Sequence, residues 1–333
     1  MNILGLSQRH SGCGYHRVTL PLGFMNDIKA TVTDLPTDEM VHNNSMLLFN
    51  RLSVFDNNFQ SLKDKGYKII MDMDDDWVLP STHINYNDYA NLKEQIENNL
   101  RSADLVTCTN ERLYKRLKTI ANNVEIFPNA LPYGYDQFTT DKDESDKIRL
   151  FWCGSVTHER DLLLLRYPLS RLKTHKNIVM VLGGFSAIND YSKYIWQKMW
   201  YNFTAGNQLP SEILGSLLPN SFMNMYRQAD ISLIPLERSD WHGSKSNLKI
   251  LEAATKKIPV IVSAVEPYIK DKDAPVFWVH KQSDWFTHAN DLILNKNKRL
   301  DYGEKIHEWA KAKYNLVNVN RSRRECFENL RNS

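Results

Sequence analysis

The residues best placed to do chemistry lie in the run 240–263, DWHGSKSNLKILEAATKKIPVIVS. A polar, glycine-bearing loop, Trp241 to Ser246, feeds a helix with Leu248, Leu251, Ala254 and Thr255 on one face, and a short strand, Pro259 to Val262, follows. Free N–H groups and the helix dipole favour an anion at such a helix start. Lys245 adds a cation there, beside Ser246 and the backbone of Asn247. Glu252, two turns in, can accept hydrogen bonds from the hydroxyls of a ribose whose phosphates rest at the helix tip. Phosphates plus ribose mean a nucleotide. The plainer reading is one more helix–strand unit whose charges are merely solvated.

A second group is Asp72-Met73-Asp74-Asp75-Asp76-Trp77, at the end of the apolar run Tyr67 to Met73. Carboxylates at the C-terminal end of a buried parallel strand point into the crevice where such sheets bind ligands. Asp74 or Asp75 is the candidate to face an acceptor hydroxyl, and at least one of the four is expected to cap a helix after Trp77. A third group is Ser11-Gly12-Cys13-Gly14-Tyr15, a turn after the strand Ile3 to Leu6, where Gly12 and Gly14 would let backbone approach a ligand closely. A fourth is the loop Gly154 to Asp161, after the strand Arg149 to Cys153.

The elements that must position these groups follow from the apolar pattern. Strands are read at Met46 to Phe49, Leu105 to Cys108, Val124 to Phe127, Asn177 to Leu182 and Val276 to Val279, with helices between. Residues 133–146 are polar and without period, a linker, and the strand pattern restarts after them. A chain of 333 residues with 42% apolar content supports two cores. The division expected is 1–146, 147–308 and a C-terminal helix 309–333. Residues 188–206 form an aromatic helix with Tyr191, Tyr194, Trp196, Trp200 and Tyr201, expected to serve the core. One long helix is expected over 300–332.

Cys13, Cys108, Cys153 and Cys326 have neither metal nor disulfide spacing and read as reduced thiols. The first residues lack the pattern of a signal peptide, and no apolar run approaches the roughly 20 residues of a membrane span. A cytoplasmic protein is expected. The net charge of +3 excludes neither small nor polyanionic partners, and basic clusters sit at 111–118 and 321–325. Lone histidines such as His242 and His280 carry no catalytic assignment.

The run with Glu252 and Pro259 to Ser263 resembles the nucleotide-sugar site of GT-B glycosyltransferases, in particular the retaining family 4 group, with its E-x7-E followed by a P-V-I-x-S strand. The first Glu of that pattern falls on Ser244 here. The loop Gly154-Ser155-Val156-Thr157-His158-Glu159-Arg160-Asp161 resembles the phage-type G-S-x-T-H-x-x-D variant, and Gly12-Cys13-Gly14-Tyr15-His16-Arg17 resembles that group's glycine-rich first turn. The resemblance implies two Rossmann-like domains facing across a cleft, with the C-terminal helix returning to the N-terminal domain. It implies a nucleotide-sugar donor, a UDP-sugar above all, with no cofactor and no metal, and transfer with retention. Donor contacts would come from Gly12, Gly14, Gly154, Ser155, Arg160, Lys245, Ser246, Asn247 and Glu252. Asp72-x-Asp74 also matches the metal-holding D-x-D of the GT-A fold, which lacks the second nucleotide-binding half read here. The phage-like motifs and basic clusters favour a hydroxymethylated base in double-stranded DNA, such as 5-hydroxymethylcytosine, as acceptor. A surface or lipid-linked glycan is the alternative, and an inactive nucleotide-sugar-binding module is the alternative of another class, for which Ser244 argues.

Overall fold

The computed structural model describes all residues from Met1 to Ser333 and contains two compact units. The first comprises residues 1–130, 243–246 and 314–333; the second comprises 131–242 and 247–313.

In the first unit six parallel strands, β1 (Asn2–Leu6), β2 (Lys29–Thr33), β3 (Met46–Asn50), β4 (Lys68–Met73), β5 (Leu105–Cys108) and β6 (Val124–Ile126), lie in the order β2-β1-β3-β4-β5-β6. Side chains alternate between its faces as strand geometry requires. Leu47, Phe49, Ile69 and Met71 pack on one face, and Met46, Leu48 and Ile70 on the other. The second face is closed by Val18 and Leu22 and by Phe327 and Leu330 of the helix Leu316–Asn332. Asn320 Nδ2 of that helix donates to Pro21 O at 2.9 Å, and Phe327 meets the Phe127 ring edge-on.

The second unit holds β7 (Ile148–Cys153), β8 (Ile178–Phe185), β9 (Ser211–Gly215), β10 (Ile231–Ile234), β11 (Val260–Ser263) and β12 (Phe277–Val279), in the order β12-β11-β10-β7-β8-β9. Counted within the unit this is 3-2-1-4-5-6, the strand order of dinucleotide-binding sheets, whose connections diverge between the first and fourth strands. Here those strands are β7 and β10. In the first unit the divergence falls between β1 and β3.

Several expectations are corrected. The turn 11–15 is the start of a helical run over 12–23, because the Ser11 hydroxyl accepts from Gly14 N and caps it; Tyr15–Thr19 within it is wound as π-helix. No helix begins directly after Trp77: Asp76 accepts from Val78 N at 2.8 Å, and the next helix is Tyr86–Ser102. The helix expected over 300–332 is two, Lys296–Lys313 and Leu316–Asn332, since Asn315 caps a fresh start by accepting from Val317 N. The polar stretch 133–146 is fastened inside the second unit. Tyr133 and Phe138 are buried, Lys256 donates to Gln137 O, and Arg227 pairs with Asp143. Of the aromatic helix, observed as Asp190–Phe203, only Trp196 is a core residue among the five named; Tyr191, Tyr194, Trp200 and Tyr201 are exposed.

Candidate functional sites in the two units

In the second unit, β7 ends at Cys153, and the next residue, Gly154, donates from N to Gly183 O near the end of β8. Gly184 (φ +94°) packs so closely on this loop that a Cβ would lie 2.3 Å from Gly154 O. Only glycine meets both conditions without strain. A Cβ on Gly154 would in turn meet the Trp152 ring at 2.7 Å and Lys249 Nζ at 3.1 Å. The loop is thus held bare and close to a lysine.

Lys249 and Glu252 stand one turn apart in the helix Leu248–Thr255. Lys249 donates to Cys153 O and lies 5.3 Å from the Trp152 ring centre. Glu252 is buried, and its Oε2 accepts from Tyr226 Oη at 2.8 Å. Burial pushes its carboxyl up to about 7, against the opposing pull of Lys249 and the Tyr226 hydroxyl. A carboxylate of that kind gains from further donors, such as a pair of vicinal hydroxyls. Asn247, which starts the helix, donates from Nδ2 to Asp271 at 2.7 Å, and Asp271 accepts from Lys313 at 3.0 Å. The helix start is therefore pinned by a buried carboxylate.

Around the β7–β10 divergence, Ser155 Oγ lies 2.7 Å from Thr157 Oγ1, and the exposed Arg160 pairs with the half-buried Glu237 at 3.0 Å. Asp161 holds the loop together: one oxygen faces His158 Nδ1 and the other accepts from Glu237 N, both at 2.7 Å. Although burial opposes ionisation, these contacts keep its carboxyl below the ordinary range.

In the first unit the aspartate run meets one cation per carboxylate. Asp72 takes a two-pronged bond from Arg17 (2.9 and 2.8 Å) and a hydroxyl bond from Thr107 at 2.5 Å, all buried. Asp74 accepts from Asn50 at 3.1 Å and from Arg51 at 2.7 Å. Burial alone would raise the Asp74 carboxyl, but Arg51, hydrogen bonds from Cys13 and Asn50, and the charge of Arg17 together outweigh it and hold it far below the carboxylate range. Asp75 accepts from Lys245 at 2.8 Å and Asp76 pairs with Arg116.

Residues 243–246 are gripped by this same unit. Asn110 Nδ2 donates to Ser244 O (2.9 Å) and Lys245 O (3.1 Å), and Asn129 Nδ2 donates to Ser246 Oγ at 2.8 Å. Asn129 Oδ1 in turn accepts from Arg17 at 3.0 Å. Cys13, between Gly12 and Gly14, lies 3.9 Å from Arg51 Nη2. Burial and the neighbouring Asp74 push its thiol far above the ordinary range. His16 falls to about 4, through burial and then Arg17.

Of the candidate donor residues, Gly154, Ser155, Arg160, Asn247 and Glu252 lie in the second unit. Gly12, Gly14, Lys245 and Ser246 lie in the first, with Asp74 and Asp75. Lys245 is brought against Asp75. The sequence reading passed over Lys249, Tyr226, Arg17 and Arg51. Lys249 had a signal, since it precedes Glu252 by one helical turn; Tyr226 lies 26 positions from its partner and had none.

No protein-family model and no curated protein matches the sequence. Solved structures do share the fold. A sucrose-phosphate synthase from Thermosynechococcus elongatus superposes with a TM-score of 0.70 at 10% identity, over 99% of this chain and 98% of that one. A glycosyltransferase from Rickettsia africae gives 0.66 at 13% identity, over 99% and 98%. HepE from Anabaena, in complex with UDP and glucose, gives 0.64 at 13% identity, over 98% of each chain. The fold is GT-B, with two Rossmann-like units.

Proposed function

We propose that this chain is a glycosyltransferase that takes a nucleoside-diphosphate sugar, a UDP-sugar in the first instance, and moves the sugar to an acceptor hydroxyl. The observation that carries this reading is Glu252, buried one helical turn from Lys249 beside the bare Gly154 loop. The fold shared with sugar-transferring proteins agrees with it.

In this reading Glu252 accepts from the ribose hydroxyls, and Tyr226 keeps its carboxylate turned toward them. Lys249, Arg160 and the backbone N–H of Ser155 meet the diphosphate, and the bare Gly154 lets it approach. As the bond from the sugar to the leaving phosphate breaks, that phosphate gains charge, and preorganised cations stabilise it. These cations do that work without a metal, and the anomeric configuration is retained. On the acceptor side the candidates are Asp74 and Asp75; Arg51 and its neighbours hold Asp74 far below the carboxylate range, which suits it to orient a hydroxyl more than to take its proton. The acceptor assigned first is a 5-hydroxymethylated pyrimidine in phage DNA, on the strength of the phage-type loop Gly154 to Asp161 and the basic clusters.

The test is the intact mass of two short DNA duplexes, one plain and one with 5-hydroxymethylcytosine, after incubation with the protein and a panel of UDP-sugars. A one-sugar gain on the modified duplex alone supports donor and acceptor together. Release of UDP without that gain keeps the transferase and moves the acceptor to glycans. If no donor releases UDP, the transferase reading fails, and the binding module, favoured by Ser244 in its buried turn, takes its place.

A further inference from the structure

The aromatic helix Asp190–Phe203 packs beside the helix Glu159–Leu169, and between them they present an exposed ribbon in which rings and cations alternate. Lys198 Nζ lies 5.6 Å from the Tyr194 ring centre and pairs with Glu159 at 3.1 Å. Tyr201 follows Lys198 by one turn. Arg166 lies 4.5 Å from the Tyr201 ring centre, donates to its hydroxyl at 3.0 Å, and reaches the Tyr167 ring at 5.3 Å. The order along the surface is ring, cation, ring, cation, ring. Tyr167, Tyr194 and Tyr201 are 65%, 55% and 40% exposed, so much of each ring faces water.

Such exposure is costly for aromatic side chains, which usually fill a core or an interface. Trp196 and Phe203 on the same helix do fill the core, so the exposed tyrosines are not what packs the helix down. Charge points the same way. Residues 159–198 hold seven Lys and Arg against three Asp and Glu, an excess of four, while the whole chain has an excess of only three. One of those three acids, Asp161, is buried and engaged in its own loop.

We infer that this ribbon binds a single-stranded nucleic acid, with bases stacking on the tyrosines and phosphates meeting Lys198 and Arg166. The alternation selects that occupant. A duplex offers phosphates but keeps its base faces stacked on one another, leaving the rings unused. A single strand offers both at intervals that a ring–cation series can follow. The helix Asp190–Phe203 begins after β8, so Tyr194 lies toward the C-terminal edge of the sheet, the edge that carries Gly154. This inference does not rest on the transfer reaction, because it concerns binding by side chains with no part in the donor site.

The test uses the full chain and a fluorescein-labelled oligothymidine of roughly 16 nucleotides, followed by anisotropy at several salt concentrations. Binding is expected at low salt, weakening as salt rises. The Tyr167→Ala, Tyr194→Ala, Tyr201→Ala triple variant should bind at least ten-fold more weakly. Arg166→Gln with Lys198→Gln should instead flatten the salt dependence. Both variants should keep the unfolding midpoint and any UDP release of the parent, which separates this result from the fate of the transferase reading. The inference is overturned if the parent does not bind the oligomer, or if the tyrosine variant binds it equally well. It is also overturned if a duplex of the same length competes as effectively, if anionic phosphatidylserine vesicles bind the ribbon in preference to the oligomer, or if the tyrosines prove to join two copies of the chain.

Discussion

Lys245 Nζ lies 2.8 Å from Asp75 Oδ2, an ion pair formed across 170 positions of sequence and largely shielded from water. The two residues that the sequence marks for opposite tasks, a phosphate cation and an acceptor-side carboxylate, hold each other. Removing one leaves the other charge with poor solvation. Lys245→Met and Asp75→Asn should each destabilise the protein by about 1–3 kcal/mol. The double variant should cost less than the sum of the two, by about 1 kcal/mol or more. Urea denaturation of the four proteins of the cycle measures this, and strict additivity would show the pair to be idle.

Glu252 should give binding and stability opposite responses to pH. Its folded-state carboxyl lies at about 7, above the 4.5 of an ordinary glutamate. Between those values the folded state binds more protons than the unfolded one, so stability falls as pH rises through this window and levels off above it. Ribose hydroxyls prefer the ionised carboxylate, so UDP affinity should rise as pH passes about 7. Glu252→Gln should flatten both profiles, and Glu252→Ala should weaken UDP binding by about 1–3 kcal/mol. Calorimetric titration with UDP across pH 5.5–8.5, with no change in affinity in the alanine variant, would remove Glu252 from the donor site.

Lys249→Met tests the other half of the same helix turn. It takes a cation from the diphosphate position and from beside Glu252, whose carboxyl Lys249 pulls down. UDP affinity should drop about ten-fold or more, as for a lost charged hydrogen bond, while uridine affinity changes little. An equal loss for both ligands would place Lys249 in a structural role.

Arg17 and Asp72 are both almost wholly buried, and the guanidinium fork matches the carboxylate at two points. Arg17→Met should cost about 3–5 kcal/mol, since Asp72 would stay behind as a buried charge without its main partner. Arg17→Lys should restore only part of that, because an ammonium cannot make both bonds and still reach Phe127 O and Asn129. Equal stability of Arg17→Lys and the parent in urea would refute the two-point account.

Gly184→Ala should cost about 2 kcal/mol or more, from its positive φ and from the collision of the new Cβ with Gly154 O. UDP binding should weaken with it, because the Gly154 loop must move. Gly215→Ala, on open surface, is the matched control.

The parts of the fold most legible in the sequence were the apolar runs, most of which are buried on both faces. The apolar runs that become β3, β4, β5, β7 and β8 need no partner to be recognised. The strands it did not reveal, β2 and β9, are edge strands whose residues are mostly half-exposed or exposed, so no apolar run marks them. At the candidate site, Glu252 was legible because its helix and following strand are contiguous with it. Arg17 and Arg51 were not, since their meaning lies in aspartates 55 and 23 positions away. The aromatic helix misled for a plainer reason: ring content signals burial, and here Trp196 and Phe203, with Ile195 and Met199, already fill the space beneath.

The composition of the first unit bears on the order in which it can mature. Its sheet is complete in the chain by Ile126, yet the face bearing Ile3, Met46 and Ile70 is closed by Phe327 and Leu330. All of residues 131–313 must be synthesised before those two side chains exist. At translation speeds of roughly 5–20 residues per second, that is a wait on the order of ten seconds or longer. The unit that emerges first from the ribosome is therefore sealed last, and for that interval a newborn chain carries an open apolar face to which chaperones have access.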